Sequence, residues 1–346
     1  MGKKKLRKQF RDLRGLIKRY CCFLAIAVVI LLVIYYELFP RFGMGIASEY
    51  SDPLNIYRDI AMLDSTAENE MILYGYDLFQ KTPAYIGKRS RDTLMHFAGN
   101  TLSCGNCHLF AGTKPYAAPM IGVLDRYPQY RGREDQIGTI EDRINGCMER
   151  SMNGRLMEKG SREMLAFVAY FRWLDKYKID GEPPEGTGYL NVQLPERAVD
   201  TVKGKELFDR HCSVCHQPDG SGVVKKDSTG FLYPPLWGVD TYNNGAGMTR
   251  VITAAEFIKA NMPFGTSYNA PYLTDEECYD VAGYINVQLR PVKTNLEADF
   301  PDLKKKPVST PYPPFADPFD VTQHQLGPFQ PIMEYYQKEY GMKKSK

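Results

Sequence analysis

From Tyr20 to Phe39 the chain is apolar at every position except Glu37. Twenty residues at a helical rise span about 30 Å, the thickness of a bilayer's hydrocarbon core. Nine Lys and Arg side chains precede this run against the single acid Asp12. The pattern predicts a basic cytoplasmic segment over 1–19, a transmembrane signal anchor over 20–39, and export of everything after it. A cleaved signal peptide is the rival reading; its apolar stretch would be shorter, and Gly45-Ile46-Ala47 is a poor cleavage site. Further along, apolar residues return at helical spacing in Arg162–Leu174 and again from Thr274 to Ile285, where Thr274 and Glu277 form a capping-box pair. Between these helices Asp180–Gly188 is dense in Gly and Pro, which predicts a linker over 179–198. Two domains are therefore expected, over 51–178 and 199–290. The last 56 residues, 291–346, hold nine prolines and little periodicity, and predict an extended tail that wraps the domains or stays partly mobile. The strings GYLNVQL (188–194) and GYINVQL (283–289) fall in a loop and a helix, so their echo is not a repeat.

Charge separates the same parts. The chain carries +3 overall, but residues 1–40 hold nine basic and two acidic groups, leaving −4 on the remainder. The basic excess is thus a topology signal, and no nucleic-acid partner is implied.

The chemistry lies in two CxxCH pentapeptides, Cys104-Gly-Asn-Cys107-His108 and Cys212-Ser-Val-Cys215-His216. This spacing is that of c-type haem attachment: two thiols add to the porphyrin vinyl groups and the adjacent His ligates iron. Zinc is the competitor, yet each site would need four ligands, and His directly after the second Cys is poorly placed to share a metal with both thiolates. Two covalent haems c and a mainly α fold of two tandem cytochrome c-type domains follow. Haem attachment of this kind takes place in the bacterial periplasm, which agrees with export. With four cysteines on haem and Cys21 and Cys22 in the apolar run, Cys147 and Cys278 remain.

The segment Val202–Gly222 resembles the opening helix and haem site of a small class I cytochrome c. That implies His216 as proximal ligand and a sixth ligand from Met248, Lys259 or Met262. Met262, 46 residues after His216 and followed by Pro263, stands where such proteins carry a distal thioether. Lys259 reads as a solvated helix residue and His211 as a helix-surface histidine.

Cys147 stands 39 residues after His108, in Arg143-Ile-Asn-Gly-Cys-Met-Glu-Arg-Ser-Met-Asn-Gly154. If helical, this stretch puts Arg143, Cys147 and Ser151 on one face, a cation, a thiol and a hydroxyl beside one haem. Such a set suits an anionic sulfur substrate, with Arg143 and Arg150 available to hold sulfonate oxygens. The residues equally allow Cys147 as a buried structural thiol or as the disulfide partner of Cys278.

Taken together, CGNCH, Leu109-Phe-Ala-Gly112, RINGCMERSMNG, the helix ending Trp173-Leu174 and the second CxxCH with Asn261-Met262-Pro263 resemble the dihaem thiosulfate dehydrogenase family, periplasmic enzymes related to the cysteine-ligated Sox cytochromes. The likeness covers about residues 65–290. It implies that Cys147 is the distal ligand of haem 1 and engages substrate sulfur, that Arg143 and Ser151 belong to the substrate site, and that haem 2 relays electrons. Some members carry Lys immediately before the Met; Asn261 here argues for plain His216/Met262 ligation. The activity implied is interconversion of two thiosulfates with tetrathionate plus two electrons, on the periplasmic face of the inner membrane, with a cytochrome c or quinone-linked redox partner. A non-catalytic electron-transfer dihaem protein is the alternative, with Met120, Met148, Met152 or His96 on haem 1. A dihaem peroxidase would need acid–base groups aimed at peroxide, and neither motif has a His-based pair near it.

Overall fold

The structure, a computed structural model, describes residues 2–38, 54–179 and 181–346. It divides into two units, with the boundary at Ser51/Asp52. The first is helix α1, Gly2–Leu38. Among the described residues no helix is long and apolar enough to cross a membrane. The side chains described in α1 are apolar without a break only over Tyr20–Leu31, about 18 Å of helix. The far part of the expected anchor (side chains 32–39), the domain start at Ser51 and Asp180 of the linker lie outside the described residues.

The second unit opens with α2 (Ile56–Ala61), α3 (Ala67–Gln80) and α4 (Thr82–Ile86). A short irregular turn, α5 (Leu109–Gly112), follows the first CxxCH. A hairpin of β1 (Gln129–Arg131) and β2 (Gln136–Gly138) leads into α6 (Ile140–Arg150) and α7 (Arg162–Leu174). The second haem motif directly follows α8 (Thr201–His211), its last four residues forming the short α9 (Ser213–His216). After a small ladder of β3 (Val223–Val224) and β4 (Phe231–Tyr233) come α10 (Val251–Asn261) and α11 (Asp275–Asn286).

The helices begin where side chains satisfy their free N–H groups. Ser161 starts α7, Asp200 starts α8, and Thr139/Asp142 and Thr274/Glu277 form capping boxes on α6 and α11. Both halves then use one device: an opening helix crosses a closing helix at a glycine. A Cβ on Gly75 of α3 would lie 2.0 Å from the Ala166 carbonyl oxygen of α7, and one on Gly204 of α8 would lie 2.1 Å from that of Asp280 in α11. Only glycine permits that approach. Phe79, Phe167, Tyr170 and Phe171 fill the first core; Phe208, Tyr279, Val281 and Ile285 fill the second.

Residues 181–200 carry no helix or strand. They are nonetheless pinned, since Gly186 and Gly188 accept hydrogen bonds from the backbone N–H groups of Tyr116 and Ala118. Residues 291–346 depart from the expected extended tail. They end in α12 (Val321–Leu326) and α13 (Gln330–Tyr340), with Phe329, Ile332 and Tyr336 buried in the second core. Pro331 sits in the first turn of α13, where a missing N–H costs nothing, so proline density is no sign of an unstructured tail here.

Candidate functional site

Helix α6 is the element expected from the sequence, and Ser151 continues it with helical backbone angles. Arg143, Cys147 and Ser151 all face a cavity of about 320 Å³. Cys104, Cys107 and His108 line the same space, with apolar walls from Phe79, Met120, Val123, Phe167 and Phe171. His108 Nδ1 lies 2.8 Å from the Ala118 carbonyl oxygen, so that nitrogen must donate and Nε2 is left as a ligand. His216 is arranged identically: its Nδ1 donates to the Pro234 carbonyl at 2.7 Å. Two paired thiols, a tautomer-locked imidazole and an apolar cavity fit a covalent haem.

Across the cavity Arg143 Nη1 donates to Cys147 Sγ at 2.8 Å. Burial raises the thiol's pKa, but Arg143 and the adjacent His108 outweigh it and bring Cys147 down to about 6. Cys104 and Cys107, with no cation beside them, are pushed up to about 12 by burial. Of the three cysteines in the cavity, Cys147 alone is held as a thiolate near neutral pH. It is a free cysteine, as is Cys278, which is fully buried in the second core. The disulfide alternative is therefore not what forms.

The guanidinium of Arg150 is held by two carboxylates. Its Nη2 is 2.6 Å from Asp299 and its Nη1 3.2 Å from Glu149. This tethers the C-terminal extension to α6. Asp299 also accepts from Arg133 Nη1 and, at 2.8 Å, from the Tyr312 hydroxyl. At the second motif, Met262 is the C-cap of α10 and, like Cys212, packs against the second core. Lys259 is bound to Asp275 at 2.7 Å and to the Asn191 carbonyl at 2.9 Å. Met248, the other candidate there, instead lines the first cavity. Among the alternatives for haem 1, Met120, Met148 and Met152 also line that cavity, whereas His96 Nε2 is taken by the Ser90 carbonyl at 3.0 Å.

Sequence reasoning missed a second cleft, about 350 Å³, that shares His108, Arg143, Cys147 and Ser151 with the first. Arg131, Arg133 and Arg250 also line it, together with Arg150, Tyr189 and Phe300. Arg131 ends β1 and Arg133 lies in the hairpin turn, and the Arg-Gly-Arg string was the available signal. Nothing in the sequence pointed to Arg250, which joins the site from the second half of the chain.

Two tautomer-locked CxxCH histidines in two helical halves, each with its own core, define a dihaem c-type cytochrome with one covalent haem on each motif. The comparisons agree. Residues 96–174 match the SoxA/TsdA cytochrome c domain and residues 201–288 match cytochrome c. The thiosulfate dehydrogenase of Psychrobacter arcticus is 41% identical over 217 residues, 63% of this chain and 65% of that protein. That of Allochromatium vinosum is 37% identical over 257 residues, 72% of this chain and 90% of the relative. A solved structure, thiosulfate dehydrogenase (TsdBA) from Marichromatium purpuratum in the as-isolated form, superposes with a TM-score of 0.60 at 34% identity, over 68% of this chain and 49% of that one. The chain belongs to the thiosulfate dehydrogenase family.

Proposed function

We propose that the protein interconverts two thiosulfates and tetrathionate, with Cys147 as the sulfur nucleophile; His108 and Cys147 would be the residues that hold the haem 1 iron. The observation that carries this reading is the Cys147 thiolate facing the His108 cavity with Arg143 at 2.8 Å. In the reductive direction Cys147 Sγ attacks a central sulfur of tetrathionate, forming Cys–S–S–SO₃⁻ and expelling one thiosulfate dianion. Two electrons then cleave the new S–S bond, regenerating the Cys147 thiolate and releasing the second thiosulfate. When bound, the two haems would supply one electron each, which matches the stoichiometry. Arg143 offsets charge as anion meets thiolate, an encounter that costs several kcal/mol in a low-dielectric site without a fixed cation. Ser151, one turn along, offers a hydroxyl donor to the same substrate. The geometry of Arg150 supports a supporting role, since Asp299 and Glu149 hold its guanidinium.

The same reading extends to the rest of the chain. His216 and Met262 would hold haem 2, which would exchange electrons with a cytochrome c or quinone-linked partner. Residues 20–39 anchor the protein at the periplasmic face of the inner membrane, supported by their apolarity and by the nine basic residues before them. The two cytochrome domains span 51–178 and 199–290, and 291–346 is a Pro-rich extension.

A Cys147→Gly variant of the full holoprotein tests the mechanism. It should keep both haems, lose the compressed g-spread of a thiolate-ligated low-spin haem in EPR, and lose turnover in both directions. Near-normal tetrathionate reduction by this variant would overturn the assignment.

A further inference from the structure

The arginines of the second cleft are not equivalent. Arg131 is matched by Glu134 at 2.9 Å. Arg133 and Arg150 share Asp299, and Arg150 also has Glu149. Arg143 is matched by the Cys147 thiolate. Arg250 alone among these five has neither a carboxylate nor a cysteine sulfur as partner among the described residues. Its side chain donates from Nε to the Gly247 carbonyl at 3.4 Å, which steadies it without neutralising it. It stands at the N-cap position of α10 without a side-chain capping bond, and the helix dipole adds positive potential in the same place.

This matters because of the shape of the reaction. Tetrathionate carries a sulfonate at each end, and its oxidative counterpart is two dianions brought together. Arg143 accounts for the end that meets Cys147. The other end needs a cation too, in a cleft that is otherwise balanced. Resting on the function proposed above, we infer that Arg250, contributed by the second half of the chain, binds the sulfonate remote from Cys147. It sets affinity for a substrate with two anionic ends. The C-terminal extension, by placing Asp299 on Arg133 and Arg150, removes the competing cations and leaves Arg250 as the uncompensated charge.

The experiment uses the full-length dihaem protein with Arg250→Gln and Arg250→Lys. With Gln, the KM for tetrathionate should rise about tenfold, about 1.4 kcal/mol of binding, while kcat stays within about twofold; Lys should recover most of the loss. Equilibrium dialysis with ³⁵S-thiosulfate against the protein held fully reduced should show two binding sites in the parent and one in Arg250→Gln. An unchanged KM with two sites retained would overturn the inference, as would a fall in kcat that Lys does not rescue. If Gln fails to fold, the Lys variant decides: a KM raised by less than that factor, with both sites retained, supports the assignment, and a collapse of kcat at parental KM removes it. A parent protein that turns over neither thiosulfate nor tetrathionate would instead defeat the underlying function.

Discussion

Removing Asp299 should loosen the protein far more than a surface substitution would. Its carboxylate accepts from Arg133, from Arg150 at 2.6 Å and from Tyr312 at 2.8 Å. The side chains of Asp299, Arg150 and Arg133 are 5%, 9% and 16% exposed. Replacing the carboxylate with alanine leaves two largely buried guanidinium groups short of their counter-ion, a loss of about 3–5 kcal/mol. In a domain of this size each kcal/mol lowers Tm by about 2–4 °C, so Asp299→Ala should melt about 6–20 °C lower. Asp299→Asn, which keeps the shape and one acceptor, should lose less. Burial by itself would raise the Asp299 pKa, but Arg150 and Arg133 outweigh it and hold the carboxyl below its ordinary value. A depressed folded pKa means the contribution is complete above the unfolded value near 3.9 and is lost as pH falls through the folded one. The difference between parent and Asp299→Asn should therefore be constant at neutral pH and vanish in acid. Differential scanning calorimetry of the holoproteins across pH reads both effects. A Tm change under 2 °C for Asp299→Ala at pH 7 would refute the idea that this carboxylate latches the extension to α6.

Arg143→Gln removes the cation that keeps Cys147 anionic and meets the first sulfonate. A charge-assisted hydrogen bond is worth about 1.5–3 kcal/mol, so kcat/KM should fall about ten- to a hundredfold in both directions in steady-state assays. Gly204→Ala forces a methyl against the Asp280 carbonyl, where the contact would be 2.1 Å. The α8–α11 crossing must open, and urea titration should show a loss of at least about 1–3 kcal/mol, as overpacking does elsewhere.

Helix α6 shows how much was legible locally. Arg143, Cys147 and Ser151 are spaced by four, so helical geometry alone puts them on one face, and the structure has them on one cavity wall. The closing helix of the second half likewise begins at Thr274, where the capping box marks it. The two glycine crossings were written in the chain as well, yet a single glycine in a helix carries no label for the backbone it will meet.

What the amino-acid order determined by itself is the chemistry whose partners are neighbours in the chain: the two CxxCH attachment sites, the thiol–guanidinium pair four residues apart, and the helix starts. The three-dimensional fold alone decided which charges meet across long separations. Asp299 reaches Arg150 across 149 residues and Arg133 across 166, and no periodicity encodes such a pairing. The same holds for Arg250 entering the cleft beside Cys147, and for Ile332 and Tyr336 of α13 completing the second core. Local pattern specifies which groups a segment offers; packing determines which of them are neutralised, and so which one is left to bind.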